Sequence, residues 1–284
     1  MIRKREYGQT YTLPLTLWLT LFFVIPISII FLYSFLKSGT YGGVEWQFSL
    51  EAFQALVNPV FLKVVWATIS IALWATILTV SFALPTAYFI ARSKYKNLFL
   101  FLIIIPFWTN FLIRVYAWIA ILGNNGFLNN LMIQLGVITD PVQFLYNKYA
   151  VIIVTMYTYL PYAILPLYAT IEKFDFSLLE AARDLGATKQ QSMLKVLIPN
   201  IKAGVMTAVL FVFIPTLGSY AIPKLVGGTD SMMLGNTIAN ELTITRNWPL
   251  ASAISLILTA VTMAAVLLFT RLDKKESTVV VGEE

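Results

Sequence analysis

Apolar residues fall in six long runs along the chain, and short polar stretches between them hold nearly all of the charge. The runs cover about 13–36, 65–91, 98–122, 149–170, 203–222 and 249–270. Roughly 20 apolar residues in helix cross a hydrocarbon core of about 30 Å, so each run predicts a transmembrane helix. Arg3, Lys4 and Arg5 precede the first run as they would in a signal peptide. That run is too long for a signal-peptide core, and no small-x-small cleavage site follows Phe35, so it is read as an uncleaved first span. Proline falls inside five of the six, at Pro26, Pro85, Pro106, Pro161 with Pro166, and Pro215. Each removes a helix hydrogen bond and predicts a bend, giving bent helices arranged around a pathway.

The polar stretches carry shorter patterns. Phe127, Leu128, Leu131, Met132 and Leu135 recur at helical spacing after Gly126 and predict an amphipathic helix on the membrane surface. Ser49 is placed to cap another short helix carrying Phe53 and Leu56. No internal repeat or low-complexity linker divides the chain, so residues 1–284 read as a single membrane domain.

Composition sharpens this picture. The 284 residues are 58% hydrophobic and only 12% charged, about half the charged fraction of an ordinary soluble domain. Too few ionisable groups remain to cover a soluble sphere of this size, which removes a soluble enzyme as the leading class. There is no Cys and no His. A disulfide framework, a thiolate nucleophile and the commonest general base and metal ligand are therefore absent, and no metal site is expected. The net charge of +6 would suit nucleic acid, but its placement says otherwise. With the N-terminus inside, the inner side holds Arg3, Lys4, Arg5, Arg92, Lys94, Lys96, Lys173, Arg183, Lys189, Lys195, Lys202, Arg271, Lys274 and Lys275. The outer side holds Lys37, Lys63, Lys148, Lys224 and Arg246. This positive-inside asymmetry accounts for the basic balance and places both termini in the cytoplasm, with no nucleic-acid partner. Inside the spans one ionisable residue survives, Arg114.

The inner loop at about 171–202 is the most informative segment. Ser177 and Glu180 read as an S-x-x-E capping box that starts a helix at Leu178. Leu178, Ala181, Ala182 and Leu185 share one face of that helix, and Gly186 supplies its stop. Thr188 and Gln191 form a second box, opening a helix that must bend before Pro199. The small apolar face has no lipid to bury against at that position, which points to a protein partner.

The run Glu180-Ala181-Ala182-Arg183-Asp184-Leu185-Gly186, followed by Val196-Leu197-Ile198-Pro199, resembles the EAA loop of ABC importer permeases. The glycine and proline spacing is kept, with Val196 and Ile198 as conservative departures. Pro106-Phe107-Trp108-Thr109-Asn110-Phe111-Leu112-Ile113-Arg114, the Gly235-Asn236 pair and Asn247-Trp248-Pro249 are similar to spermidine/putrescine permeases, most of all the B-type subunit. The resemblance implies an all-α membrane protein of six transmembrane helices with the type I ABC importer permease fold, in the bacterial inner membrane. It implies that Glu180, Ala181, Ala182, Asp184, Leu185 and Gly186 dock on an ATPase subunit. It also implies a homologous second permease subunit, an ATPase dimer and an extracytoplasmic substrate-binding protein as partners, besides the lipid bilayer.

The chemistry agrees with a subunit that hydrolyses nothing itself. No Walker A sequence occurs, so no cofactor is expected in this chain, and ATP with Mg would be bound by the partner. Paired intramembrane carboxylates, which a proton- or sodium-coupled carrier would need, are missing too. A polyamine is a flexible chain of ammonium groups, and aromatic faces hold such cations at roughly 0.5–2 kcal/mol each. Trp108, Tyr116, Trp118, Tyr157, Tyr159, Tyr162 and Tyr220 are candidates, with Asn110 as a carbonyl acceptor and Asp230 and Glu241 attracting cations in the last outer loop. Trp108 and Tyr159 stand out because each lies beside a proline. Arg114 would repel such a substrate and is expected to pair with a carboxylate or carbonyls at an intersubunit surface, or to lie off the path. Related permeases for thiamine, iron or phosphonate, and a channel gated by a cytoplasmic partner, are the alternatives.

Overall fold

The computed structural model describes residues 7–280, with side chains from residue 12 onward except 268 and 270–280. Arg3, Lys4 and Arg5 lie outside the described residues, as do the side chains of Arg271, Lys274 and Lys275. In chain order, α1 (Tyr7–Leu19) passes through a π turn at Thr20–Val24 into α2 (Ile25–Ser34). Strands β1 (Leu36–Ser38) and β2 (Val44–Phe48) follow, then α3 (Glu51–Ala55) and the long α4 (Pro59–Arg92). Helix α5 (Lys96–Ile104) tightens to a 3₁₀ turn at Ile105–Trp108, and α6 (Phe111–Leu122) and α7 (Phe127–Gln134) come next. Helices α8 (Lys148–Ile171), α9 (Ser177–Asp184), α10 (Lys189–Ser192) and α11 (Ile198–Asn200) lead to α12 (Lys202–Leu217). The chain ends with α13 (Ala221–Val226), α14 (Leu234–Thr243) and α15 (Trp248–Val280).

Among the described residues, five helical stretches are long and apolar enough to cross a membrane, or six when α12 is joined to the segment before it across a bend of 74°. The third expected span is not one rod. Pro106 brings no N–H, the helix tightens, and the chain opens at Thr109 and Asn110 before α6 restarts. Asn110 makes the restart possible, since its side-chain oxygen accepts from the Leu112 N–H at 2.8 Å. Elsewhere the helices continue through their prolines: α4 through Pro85, α8 through Pro161 and Pro166, and α12 through Pro215. The fifth span also stops short of residue 222, at Leu217. There the chain turns toward α13, held by Asn236, whose Nδ2 donates to the Tyr220 carbonyl at 3.0 Å. Gly235 packs so close to the carbonyls of Gly218 and Ser219 that a Cβ would collide with them.

The chain groups into two compact units, one of Met1–Leu62 with Thr237–Val261 and one of Lys63–Asn236 with Thr262–Glu284. In the first, the apolar stretch Thr12–Ser34 has no buried residue in its most apolar window. It leads into an antiparallel hairpin that the hydrophobic pattern does not announce. Gly42 and Gly43 turn the hairpin at positive φ, and the Gly43 N–H donates to the Arg246 carbonyl at 2.9 Å. Phe35 packs on Phe48 and Phe53, and Lys37 pairs with Glu45 at 3.6 Å. Ser49 meets expectation by accepting from the Glu51 N–H at 3.1 Å, at the start of α3.

The second unit holds two apolar cores. One joins Ile71, Val115, Val151, Val154, Ile222 and Met233, with α7 latched nearby by the buried Asn129, which bonds Gly123 and both backbone groups of Val142. The other joins Ala87, Ile90, Ile164, Leu167, Ile171, Leu179, Leu197, Ala208 and Val212. Its backbone is the pairing of α8 with α12. Gly204, Ala208, Val212 and Thr216 recur every four residues on α12 and are all buried, so small side chains let the two helices approach closely.

Candidate functional site: the α9 loop and the broken third span

The loop helix α9 is an eight-residue element, and isolated helices below about 12 residues are marginal in water. It is held by three devices. Leu179 is buried in the second core beside Ile90, Ile171 and Leu197, worth about 1.5–3 kcal/mol for full burial. Asp175 accepts the Ser177 N–H at 3.0 Å and caps the start; the Ser177 hydroxyl and then that N–H keep its carboxyl below the usual range. The end closes as expected: Gly186 has φ of +89°, Ala187 N–H donates to Ala182 at 3.0 Å, and Gly186 N–H to Arg183 at 2.8 Å.

The start differs from the expected capping box. Ser177 is the first helical residue rather than the cap, and Glu180 stays exposed in the first turn. Asp175, two residues upstream of Ser177, reaches that N–H through a tighter local turn and supplants it. The Thr188–Gln191 box is formed in both directions, at 2.9 and 3.2 Å. A π turn follows at Met193–Leu197, but the 74° bend falls after Pro199 rather than before it, between Asn200 and Lys202.

Sequence spacing placed Leu178, Ala181, Ala182 and Leu185 on one face, and the structure leaves that face largely open. Leu178 is 44% and Leu185 90% exposed, and Ala181 is exposed. Glu180 and Asp184 flank it, both exposed. An apolar strip with acidic neighbours and a fixed backbone is a built surface.

Two contacts fasten this loop, and neither was read from the sequence. Arg92, at the end of α4, donates to the Tyr88 hydroxyl at 3.1 Å and lies over the Phe176 ring at 5.3 Å. Lys96 pairs with Glu172 at 2.7 Å. Hydrogen bonds from Lys96 and then from Tyr168 hold the Glu172 carboxyl below its usual value. A depressed carboxyl contributes stability above its unfolded pKa and loses it as pH falls through the folded one. Glu172→Gln is therefore expected to destabilise at pH 7, with the difference from wild type starting to shrink near the usual glutamate value of about 4.3 and gone once pH is below the lowered folded value. Thermal unfolding in detergent across that range checks this.

The aromatic candidates do not form one cluster. Tyr159 and Tyr162 lie together, centroids 5.8 Å apart, and Phe107 joins Tyr162 at 4.8 Å. Trp108 is not in that cluster; its ring meets Phe101 edge-on and is 78% exposed. Trp118 pairs with Tyr157 at 5.4 Å, and Tyr116 is exposed. Tyr220 already carries a cation, with Lys224 Nζ 5.2 Å from its ring. Asp230 is exposed, and Glu241 accepts from the Thr245 hydroxyl at 2.6 Å. Among the described residues no group of acidic side chains is arranged to hold a metal.

Bundled apolar helices, a broken intramembrane helix and a capped loop helix with an open apolar face define an integral membrane transport component. Residues 80–277 match the family described as binding-protein-dependent transport system inner membrane component, and the chain belongs to it. It is a multi-pass membrane transport permease rather than an enzyme. The spermidine/putrescine transport system permease protein PotB of Haemophilus influenzae is 38% identical over 259 residues, covering 90% of this chain and 91% of that protein. Its Salmonella typhimurium counterpart is 38% identical over 266 residues, covering 92% and 93%. The inner membrane ABC transporter permease protein YdcU of Escherichia coli is 28% identical over 227 residues, covering 74% and 72%. A chain of the bacterial alginate ABC transporter, solved with its alginate pentasaccharide-bound periplasmic protein, superposes with a TM-score of 0.74. It covers 94% of this chain and 93% of its own at 16% identity, which shows the shared permease fold.

Proposed function

We propose that this chain is the polyamine-conducting permease subunit of an ATP-driven importer in a bacterial inner membrane, with both termini in the cytoplasm. The open face of α9 carries the reading: Leu178, Ala181 and Leu185 are presented to solvent while Leu179, Asp175 and Gly186 fix the helix behind them. That surface takes an ATPase subunit, with Glu180, Ala182, Asp184 and Gly186 completing it. A second, homologous permease supplies the other half of the pathway, and an external binding protein delivers the substrate. Closure of the ATPases on ATP moves α9, and the second core transmits the movement to α8 and α12, turning the pathway from inward- to outward-facing. The spermidine/putrescine assignment follows from the near full-length similarity to PotB proteins.

Within the membrane, the opening at Thr109 and Asn110 ends the first half of the third span with carbonyls that have no helical successor. Broken helices commonly place ion-coordinating carbonyls near the bilayer midplane, and Trp108 flanks this one. Asn110, Tyr116, Tyr159, Tyr162 and Tyr220 are the other pathway side chains, with Asp230 and Glu241 gathering cations at the outer mouth. The test is reconstitution of all four components in proteoliposomes. Spermidine should stimulate ATP hydrolysis and be taken up; a complex stimulated by another solute class and indifferent to polyamines overturns the substrate. Trp108→Ala is expected to slow uptake by about tenfold and Trp108→Phe by much less, as loss of a cation–π face of ~1–2 kcal/mol requires. Equal damage from both would assign Trp108 to packing.

A further inference from the structure

Arg114 lies in α6, one turn beyond the Asn110 cap. Its Nε is sealed and meets no acceptor, and its side chain makes no hydrogen bond or ion pair with the described residues. The head opens into a groove of about 400 Å³ walled by Pro106, Thr109, Ile113, Ala117, Trp118 and Tyr157. None of these walls carries a carboxylate, and the Thr109 hydroxyl is spent on the Pro106 carbonyl at 2.7 Å.

A guanidinium presents five donors and cannot shed its charge inside a protein. In a membrane such a group persists where something outside the apolar wall answers it. Surroundings narrow what that is. The walls of the groove are apolar and aromatic, which the side of another membrane helix covers and a hydrated lipid phosphate does not. A polyamine has the same sign as Arg114 and is repelled. A carboxylate matches the planar donor fork with two parallel bonds.

We propose that this groove is the seat of a membrane helix of the second permease subunit, which inserts an Asp or Glu side chain to pair with Arg114. The proposal rests on the reading of the chain as one half of a permease pair.

The tagged chain is expressed with the second permease, ATPase and binding protein. Co-purification of the second permease with the wild-type chain tests the underlying reading by itself. Arg114→Lys then puts an amine where the guanidinium was, and an apolar carbodiimide joins an amine to a carboxylate in contact with it. The expected product is an amide between position 114 and an acidic residue of the second permease, absent from the wild type. Arg114→Leu is expected to lower the co-purified second permease by about tenfold at matched membrane levels. The proposal is overturned if the wild-type pair purifies together but Arg114→Lys gives no link at this position, or one within its own chain. It is equally overturned if Arg114→Leu retains the second permease in full. Should Arg114→Lys fail to accumulate, Ala117→Cys places a single thiol in a chain that has none. A photo-crosslinker on that thiol must then capture the second permease, and capture of lipid alone refutes the proposal.

Discussion

Gly204→Val is expected to abolish accumulation of the folded chain, the largest effect of any single substitution considered. A Cβ on Gly204 would fall inside the Thr170 hydroxyl and within 2.8 Å of its Cγ2 and 2.9 Å of its Cβ. Thr170 cannot swing away at no cost, because its hydroxyl donates to the carbonyls of Leu167 and Pro166 at 2.9 and 3.1 Å. Rotating Thr170 surrenders both of these side-chain bonds. Overpacking a tight contact costs about 1–3 kcal/mol when neighbours can yield. Here the neighbour's own Cβ is in the way, so α8 and α12 must separate, and the contacts of Ala208 and Val212 in the same stripe loosen with them. The order expected in membrane level and in thermal unfolding is wild type, then Gly204→Ala, then Gly204→Val. Thr170→Gly combined with Gly204→Ala should recover part of the loss, because the colliding atoms are then gone. Wild-type behaviour of Gly204→Val would mean that α8 and α12 do not pack through this glycine.

Hydropathy made the spans legible because lipid imposes one demand on every residue of a crossing helix. It was blind to where two of them break. The run 98–122 is apolar throughout, and only a proline followed four residues later by a capping asparagine marks the opening at Thr109 and Asn110. The fifth span ends early for a reason absent from its own sequence: Asn236 and Gly235, distant in the chain, claim the carbonyls of residues 218–220. The hairpin at Leu36–Phe48 escaped because its strands are three and five residues long, shorter than a pattern of alternation can establish. Helix α9 was read correctly at its glycine end, where φ is positive and few residues serve. Its other end was misassigned because Asp175 takes the Ser177 N–H that the capping box gives to Glu180. A signal was present, since an Asp two residues ahead of a helix start forms such a turn readily. The aromatic residues were the least legible, because Trp and Tyr are placed as often by interfaces and packing as by a ligand. Phe107, which the sequence offered no reason to choose, joins Tyr159 and Tyr162, whereas Trp108 stands apart from them.

Gly186→Val is expected to leave the chain inserted and assembled while cutting substrate uptake per ATP hydrolysed by about tenfold or more. The position offers an unusually direct test, because a Cβ built on Gly186 meets nothing within 4 Å. Any penalty therefore comes from the backbone, whose φ of +89° is open to glycine and poorly open to a β-branched residue. Strain of this kind costs of order 1–3 kcal/mol, which α9 relieves by releasing the bonds that Ala187 and Gly186 donate to Ala182 and Arg183. Leu179 and the Asp175 cap hold the first turns, so the damage concentrates in the last turn. That turn carries Leu185, the most exposed apolar side chain of the docking face. Gly186→Asn is the companion variant, since asparagine enters the left-handed region more readily than other residues with a Cβ. It should couple within about twofold of wild type, a cost of roughly 0.4 kcal/mol at 1.36 kcal/mol per tenfold. Uptake and ATP hydrolysis are measured together in proteoliposomes at matched protein. Equal loss from both variants would point to a partner surface pressed so close that no side chain is tolerated. Normal coupling in Gly186→Val would remove the last turn of α9 from the transmission of force, and with it the assignment of Leu185 to the docking face.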